Sequence, residues 1–265
     1  MDLKTLCQSV IELAKNTGKY ISEEGFKSKQ IETKGKNDFV THIDKGAEKR
    51  IVERLSELLP EAGFIAEEGT SKKVGERYNW IIDPIDGTTN FIHGLSPHSI
   101  SIALRDKEEI VLGVVYEIGL KECFYSWKGA PAYLNGTEIT VSKAPTVADS
   151  LLATGFPYSD FDKMDGFMRS LDYFMKNSHG LRRLGSAAVD LAYVACGRFE
   201  GFYEYGLQSY DVAAGAFLVQ QAGGYNCDFS GGDNYLFGGE IISTNALIFN
   251  EFKQTINQLM NQAGE

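Results

Sequence analysis

The stretch Trp80-Ile81-Ile82-Asp83-Pro84-Ile85-Asp86-Gly87-Thr88-Thr89-Asn90-Phe91 constrains this chain more than any other. Its apolar opening reads as a buried strand that runs directly into Asp83 and Asp86. Pro84 stiffens the backbone between the two carboxylates, and Gly87 permits a sharp turn after them. Two carboxylates three residues apart on a rigid turn can hold hard divalent cations, with the Ile85 carbonyl as a further oxygen donor. A plain Asp-Gly turn with solvated carboxylates would account for a lone Asp-Gly, but not for the whole string.

Two further acidic points lie elsewhere. Glu67-Glu68 follow a second short apolar run, Phe64-Ile65-Ala66, and read alone they are solvated loop charges. Asp211 opens the helical run Tyr210-Asp211-Val212-Ala213-Ala214-Gly215, where its ordinary role is an N-cap accepting backbone N–H bonds. Both gain weight only if folding brings them beside Asp83 and Asp86. The main-chain N–H groups of Gly87 and Thr88 would then face phosphate oxygens at the start of a helix.

Leu3, Leu6, Cys7, Val10, Leu13 and Ala14 recur at helical spacing and predict a first helix ending between Gly18 and Gly25. A second begins between Thr41 and Asp44, carries Ala47, Ile51, Leu55 and Leu58 on one face, and stops at Pro60 and Gly63. From Ser99 to Val141 the pattern is strand-like, with Ile100–Leu104, Ile110–Tyr116 and Glu122–Ser126 separated by turns, and Asn135-Gly136 marks a type I′ hairpin. Beyond Ser150, Leu151–Thr154 predicts a strand, while Asp165–Lys176, Ala187–Cys196 and Asp211–Ala222 predict helices. Gly197 and Gly223-Gly224 stop the last two, and Phe252, Ile256, Leu259 and Met260 mark a final helix. The order is that of a layered α and β protein, a single domain over 1–265. Its halves, about 1–145 and 146–265, would meet in a packed junction near Lys143 to Asp149.

A net charge of −10 and a pI near 5.0 argue against nucleic acid and anionic membranes as partners. The same charge would repel an anionic substrate unless bound cations invert the local field. Cys7, Cys123, Cys196 and Cys227 are widely separated, with neither a disulfide framework nor a zinc spacing. The start, Met1-Asp2-Leu3-Lys4, leads into an amphipathic pattern, and no apolar run approaches the roughly 20 residues that span a bilayer, so a reducing cytoplasm is the expected compartment. His42, His93, His98 and His179 show no metal-ligand spacing, and no Ser or Cys sits in a nucleophile elbow. Arg182-Arg183 reads as a solvated basic pair, with contact to substrate phosphate or to a dimer partner as the alternative.

The strings Trp80 to Phe91 and Tyr210 to Gly215, the latter followed by Gln221-Ala222-Gly223-Gly224, match two signatures of a known family. With the landmarks Asp38 to Asp44, Phe64 to Glu68, Asn135-Gly136 and Leu184 to Ala188, the chain resembles the inositol monophosphatase family from its first helix to its last. That family belongs to a larger group with fructose bisphosphatases and phosphoadenosine phosphatases. The resemblance implies an α+β fold, a layered αβαβα sandwich of the sugar-phosphatase type. Position by position it implies that Glu67, Asp83 and the Ile85 carbonyl hold one magnesium ion, and Asp83, Asp86 and Asp211 a second. A weaker third would sit near Glu67. Thr88, paired with Asp44, would position and help deprotonate the attacking water. Gly185, Ser186, Ala187 and Glu204, with Asp86, match positions that hold sugar hydroxyls, and Lys34 and Asp38 match a mobile loop closing on the metals. Tyr210 stands where the family usually has Trp, which bears on the rim of the sugar pocket rather than on the metals.

Such a set suits phosphate monoester hydrolysis, which demands positioned charge more than covalent chemistry. The resemblance implies Mg2+-dependent release of phosphate from small polyol phosphates, with myo-inositol 1-phosphate leading and glycerol 2-phosphate accepted, inhibition by lithium, and a homodimer. Other substrates within the larger group are fructose 1,6-bisphosphate, NADP and 3′-phosphoadenosine 5′-phosphate. A different class of reading is a regulatory protein that binds a protein partner, with the site vestigial. The complete acidic set speaks against a vestigial site.

Overall fold

Side-chain alternation along the central strands sets the layering. A computed structural model describes residues 1–25, 31–33 and 39–261. Among these, β3 (Gly63–Ala66), β4 (Tyr78–Asp86), β5 (Ser99–Asp106), β6 (Glu109–Glu117), β7 (Glu122–Trp127), β8 (Ala132–Leu134) and β9 (Thr137–Ile139) follow one another across a seven-stranded sheet. A short antiparallel pair, β1 (Ile31–Thr33) and β2 (Phe39–Thr41), precedes them in the chain. Successive residues of a strand point to opposite faces. Trp80, Ile82, Ile102, Leu104, Val114 and Cys123 therefore meet one core. Ile81, Ala103, Val115 and Phe124 meet another.

The first core is closed by α1 (Leu3–Gly25) and α2 (His42–Leu58), through Leu6, Cys7, Val10, Ala14, Ile21, Ala47, Ile51 and Leu55. Gly18 does not end α1. It is a packing position, because a Cβ there would lie 2.6 Å from the Tyr116 ring.

The second core holds α5 (Ala187–Ala195) and α6 (Ser209–Gln221), pressed between the large sheet and a five-stranded one. The smaller sheet is ordered β11 (Gly180–Arg182), β10 (Leu151–Thr154), β12 (Gly201–Tyr205), β14 (Glu240–Thr244), β13 (Tyr225–Cys227). Ala153, Phe202 and Ile241 face these helices, while Leu152, Tyr203 and Ile242 face away. The outward set packs under α4 (Met164–Asn177) and α7 (Phe249–Asn261) through Phe167, Phe174, Phe252 and Ile256. Helices, sheet, helices, sheet, helices: the αβαβα sandwich is realised.

The expected elements are present with small boundary shifts, and Asn135-Gly136 turns with φ of 48° and 91°. The strands of the smaller sheet after residue 195 carry no alternation. β12 is buried at every position, so its apolar run lacks the period that marks a half-exposed strand. No helix among the described residues is long and apolar enough to cross a membrane.

The middle helices touch where side chains are small. A Cβ on Gly215 of α6 would lie 2.6 Å from Leu191 Cβ of α5. Replacing Gly215 with Val should cost about 1–3 kcal/mol through overpacking, read as a lower urea midpoint at unchanged m-value. An unaltered midpoint would show that the two helices have room to separate.

Candidate active site

A strand normally sends residues three apart to opposite faces. Asp83 pairs with Ser101 of β5 and Asp86 with Ser99, so three steps along β4 match two along β5. That irregularity is a bulge, and it returns both carboxylates to one side. Asp83 Oδ1 accepts the Ile85 N–H at 2.9 Å, which ties the carboxylate to the turn around Pro84. Gly87 follows with φ of 89°, and a Cβ there would lie 2.9 Å from the Gly185 carbonyl oxygen. No side chain fits. The short helix α3 (Thr88–Ile92) starts at once, and Thr88 Oγ1 donates to the Ile85 carbonyl at 2.9 Å. Asn90 Nδ2 donates to the carbonyls of Pro97 and Leu184, each at 2.8 Å, fastening this turn to the segment before α5.

The remaining ligand candidates arrive from three other elements. β3 runs parallel to β4, and the Glu67 N–H extends their ladder to the Ile82 carbonyl at 3.2 Å, which sets Glu67 beside Asp83. Asp211 is not the N-cap of α6, because the helix begins two residues earlier, at Ser209. Gln208 is the cap, and its N–H donates to the Asp211 carboxylate at 2.6 Å. At the start of α5, Ser186 Oγ and the Ala188 N–H donate to Asp86 Oδ2 at 2.6 and 2.7 Å. Oxygens of Asp83, Asp86 and Asp211 all lie within 4.8 Å of one another.

Carboxylates so crowded oppose their own ionisation. Burial pushes Asp83 well above the usual range, and the charges of Glu67, Asp86, Asp211 and Asp44 push it further. Burial and then Asp86 raise Asp211. Burial also lifts Asp86 to about 6, against the hydrogen bonds from Ser186 and Ala188 that pull it down. A buried, all-oxygen, anionic donor set fits a hard divalent cation and does not fit a soft thiophilic one.

Two groups on α2 reach this centre from behind. Asp44 is buried and close enough to raise Asp83, but it does not line the cleft. Glu48, one turn later and fully buried, accepts from the Glu68 N–H at 2.7 Å, the Thr70 N–H at 2.8 Å and Thr70 Oγ1 at 2.7 Å. It holds the loop that carries Glu67. Glu67 and Glu68 are half-buried, so the reading of solvated loop charges is corrected.

The acidic centre lines a cleft of about 650 Å³. Gly185, Ser186, Ala187 and Glu204 line the same cleft beside it, with Gly87, Thr88 and Tyr210. Glu204 stands on β12 against Gly155, where a Cβ would lie 1.9 Å from the carboxylate. Arg183 lines the cleft too, which corrects the reading of Arg182-Arg183 as a solvated pair: Arg182 alone is exposed. Glu48 and Gly155 were not legible as site residues, because each acts through a contact distant in sequence. Lys34 and Asp38 lie outside the described residues.

The model of the Inositol monophosphatase family matches residues 2–265. The chain belongs to that family. Accordingly it is a phosphatase. It is 36% identical to an inositol-1-monophosphatase of Mesorhizobium japonicum over 94% of each chain. It is also 42% identical to the Nus factor SuhB of Escherichia coli K12 over 80% of each. The solved structure of the Thermotoga maritima IMPase superposes with a TM-score of 0.87 at 36% identity, covering 96% of this chain and 98% of that one.

Two outcomes follow from the site's charge. The folded protein retains carboxyl protons that an unfolded chain releases near the ordinary value of 3.8, so folding takes up protons between that value and about 6. Without metal, this contribution to stability is largest at the acid end and is lost as pH rises through about 6. The rise in Tm on adding Mg2+ should therefore be larger at about pH 7.5 than at about pH 5, where the cation must displace protons. Equal rises would contradict the crowding. Glu48→Ala should weaken Mg2+ binding by releasing the loop that carries Glu67, measured by titration calorimetry.

Proposed function

We propose that the protein hydrolyses small polyol phosphate monoesters, myo-inositol 1-phosphate first among them, with Mg2+ held by Glu67, Asp83, Asp86, Asp211 and the Ile85 carbonyl. The observation that carries this reading is a carboxylate centre lining one cleft together with the residues that match positions for sugar hydroxyls. Magnesium at such a centre supplies electrostatic stabilisation of the transferring phosphoryl group and acidifies water. The chain's own groups would do the positioning.

Thr88 Oγ1 donates to the Ile85 carbonyl, which leaves its lone pairs to accept a hydrogen bond from the attacking water. For Asp44, buried on α2 and away from the cleft, to take the proton that water gives up, the Thr88 hydroxyl would turn from the Ile85 carbonyl toward it and pass on its own proton as it accepts the water's. Water oxygen bonds to phosphorus as the ester P–O bond breaks, and the leaving alkoxide takes up a proton. The backbone at Gly185 to Ala187, at the N-terminal end of α5, would donate to substrate hydroxyls, and Glu204 would accept from one. Family membership supports the reaction, and the relative named an inositol-1-monophosphatase supports the substrate. Other relatives bear the name Nus factor, which supports a protein-partner role beside catalysis.

Phosphate release should be fastest from inositol 1-phosphate in a panel with glycerol 2-phosphate, fructose 1,6-bisphosphate, NADP and 3′-phosphoadenosine 5′-phosphate, and millimolar lithium should inhibit it. A nucleotide turned over about a hundredfold better would replace the substrate assignment. Asp83→Asn keeps the bond to the Ile85 N–H and relieves repulsion, so the metal-free variant should be no less stable than the parent at neutral pH. Its turnover should fall at least about a hundredfold, since even outer partners of metal ligands are worth 10–100-fold.

A further inference from the structure

One buried acid has no part in the proposed hydrolysis and stands outside the cleft. Glu117 ends β6 and is fully buried. Its carboxylate accepts from Ser96 Oγ at 2.7 Å, from the Gly119 N–H at 3.1 Å and from the Leu120 N–H. A carboxylate is costly to bury without such donors, so their convergence makes a stiff joint. The joint is also tight, because a Cβ on Gly119 would lie 2.8 Å from Ser96 Oγ. Next along the chain, the Ile118 N–H donates to the His98 carbonyl at 3.1 Å. Glu117 and Ile118 thus hold the segment Ser96-Pro97-His98 at both ends.

The carbonyl of Pro97, between those ends, meets the catalytic turn. It accepts from Asn90 Nδ2 at 2.8 Å, and a Cβ on Gly87 would lie 3.1 Å from it. Asn90 is 8% exposed, and the same nitrogen donates to the Leu184 carbonyl at 2.8 Å. The carbonyl of Gly185, the next residue, would lie 2.9 Å from that Gly87 Cβ. Two carbonyls therefore close on Gly87 from two segments, and one side-chain amide spans those segments. A second strut starts from the residue opposite Glu117 in the β5–β6 ladder, Ser99. Its Oγ lies 3.3 Å from Ser186 Oγ, which donates to Asp86.

We propose that Glu117 is a positioning residue of the phosphatase, acting through Ser96, Pro97 and Asn90 to set the spacing between the Gly87-Thr88 turn and the segment from Gly185 to Ala187. This rests on the proposed function, in which the turn serves the phosphate and its attacking water while the segment meets hydroxyls of the leaving group. A polyol phosphate must satisfy both at once, and small misplacements of bound groups are costly in rate. A monoester whose leaving group bears no hydroxyl depends on the turn alone.

Ser96→Ala cuts the link from Glu117 and leaves the carboxylate its two backbone donors. It should lower kcat/KM about tenfold for inositol 1-phosphate and by no more than about twofold for p-nitrophenyl phosphate. Ser96→Thr keeps the hydroxyl and should restore the wild-type ratio of the two substrates. Asn90→Ala should show the same selective loss, and adding Ser96→Ala to it should cost nothing more, since both cut one chain of contacts. A loss equal on both substrates or absent on both overturns the proposal, as does a double variant whose losses multiply. Hydrogen exchange in metal-free protein reads the same link without substrate. The Ala188 and Val189 N–H groups, bound to Asp86 and Ser186, should exchange faster in Ser96→Ala than in wild type. Unaltered exchange overturns the positioning role, whereas a wild type that releases no phosphate from either substrate defeats the phosphatase reading instead.

Discussion

Everything in the site depends on keeping mutually repelling carboxylates within 4.8 Å of one another in a buried place. Backbone amides accomplish this. The N–H groups of Ile85, Ala188 and Gln208 each bind a different member of the trio, and two of them come from helix starts. These dipoles are fixed by the fold and cannot be neutralised by a proton. They hold the carboxylates in place against repulsion while leaving other oxygen lone pairs free to meet a cation.

The layering explains why the donors meet there. α5 and α6 are shared by both sheets, and their starts point at the edge where β3 and β4 end. The parallel pairing of β3 and β4 in an otherwise antiparallel sheet brings Glu67 to the same level as Asp83. α2 backs this edge with Asp44 and Glu48 at i and i+4, one near Asp83 and the other gripping the loop of Glu67. The helices are therefore both core and scaffold.

Much of this was legible in the chain because strong periodicity survives folding. Leu3 to Ala14 and Ile100 to Leu104 display their faces openly, and the Trp80 to Phe91 string carries its own strand, turn and helix start. β12 and β14, buried on both faces, display no period, so Glu204 was marked by the family resemblance and not by a strand pattern. Asp211 illustrates a subtler loss. Its helix-start character was visible, but the cap is Gln208, an uncommon residue there, and Asp211 stands at the third helical position as the other half of a capping box. Arg183 and Glu48 carry no local mark. What distinguishes them from solvated charges is a partner many residues away.

The bulge in β4 sets two interests of the chain against each other. Removing one residue between Asp83 and Asp86 would restore an even ladder with β5 and give the sheet a more regular centre. The same deletion would leave the two carboxylates on one side, two residues apart, but would take away the turn whose Ile85 N–H holds Asp83 and whose Ile85 carbonyl accepts from Thr88. The better-paired protein would be the inert one, so random drift toward sheet regularity at this spot is a route by which a descendant keeps the fold while surrendering its chemistry.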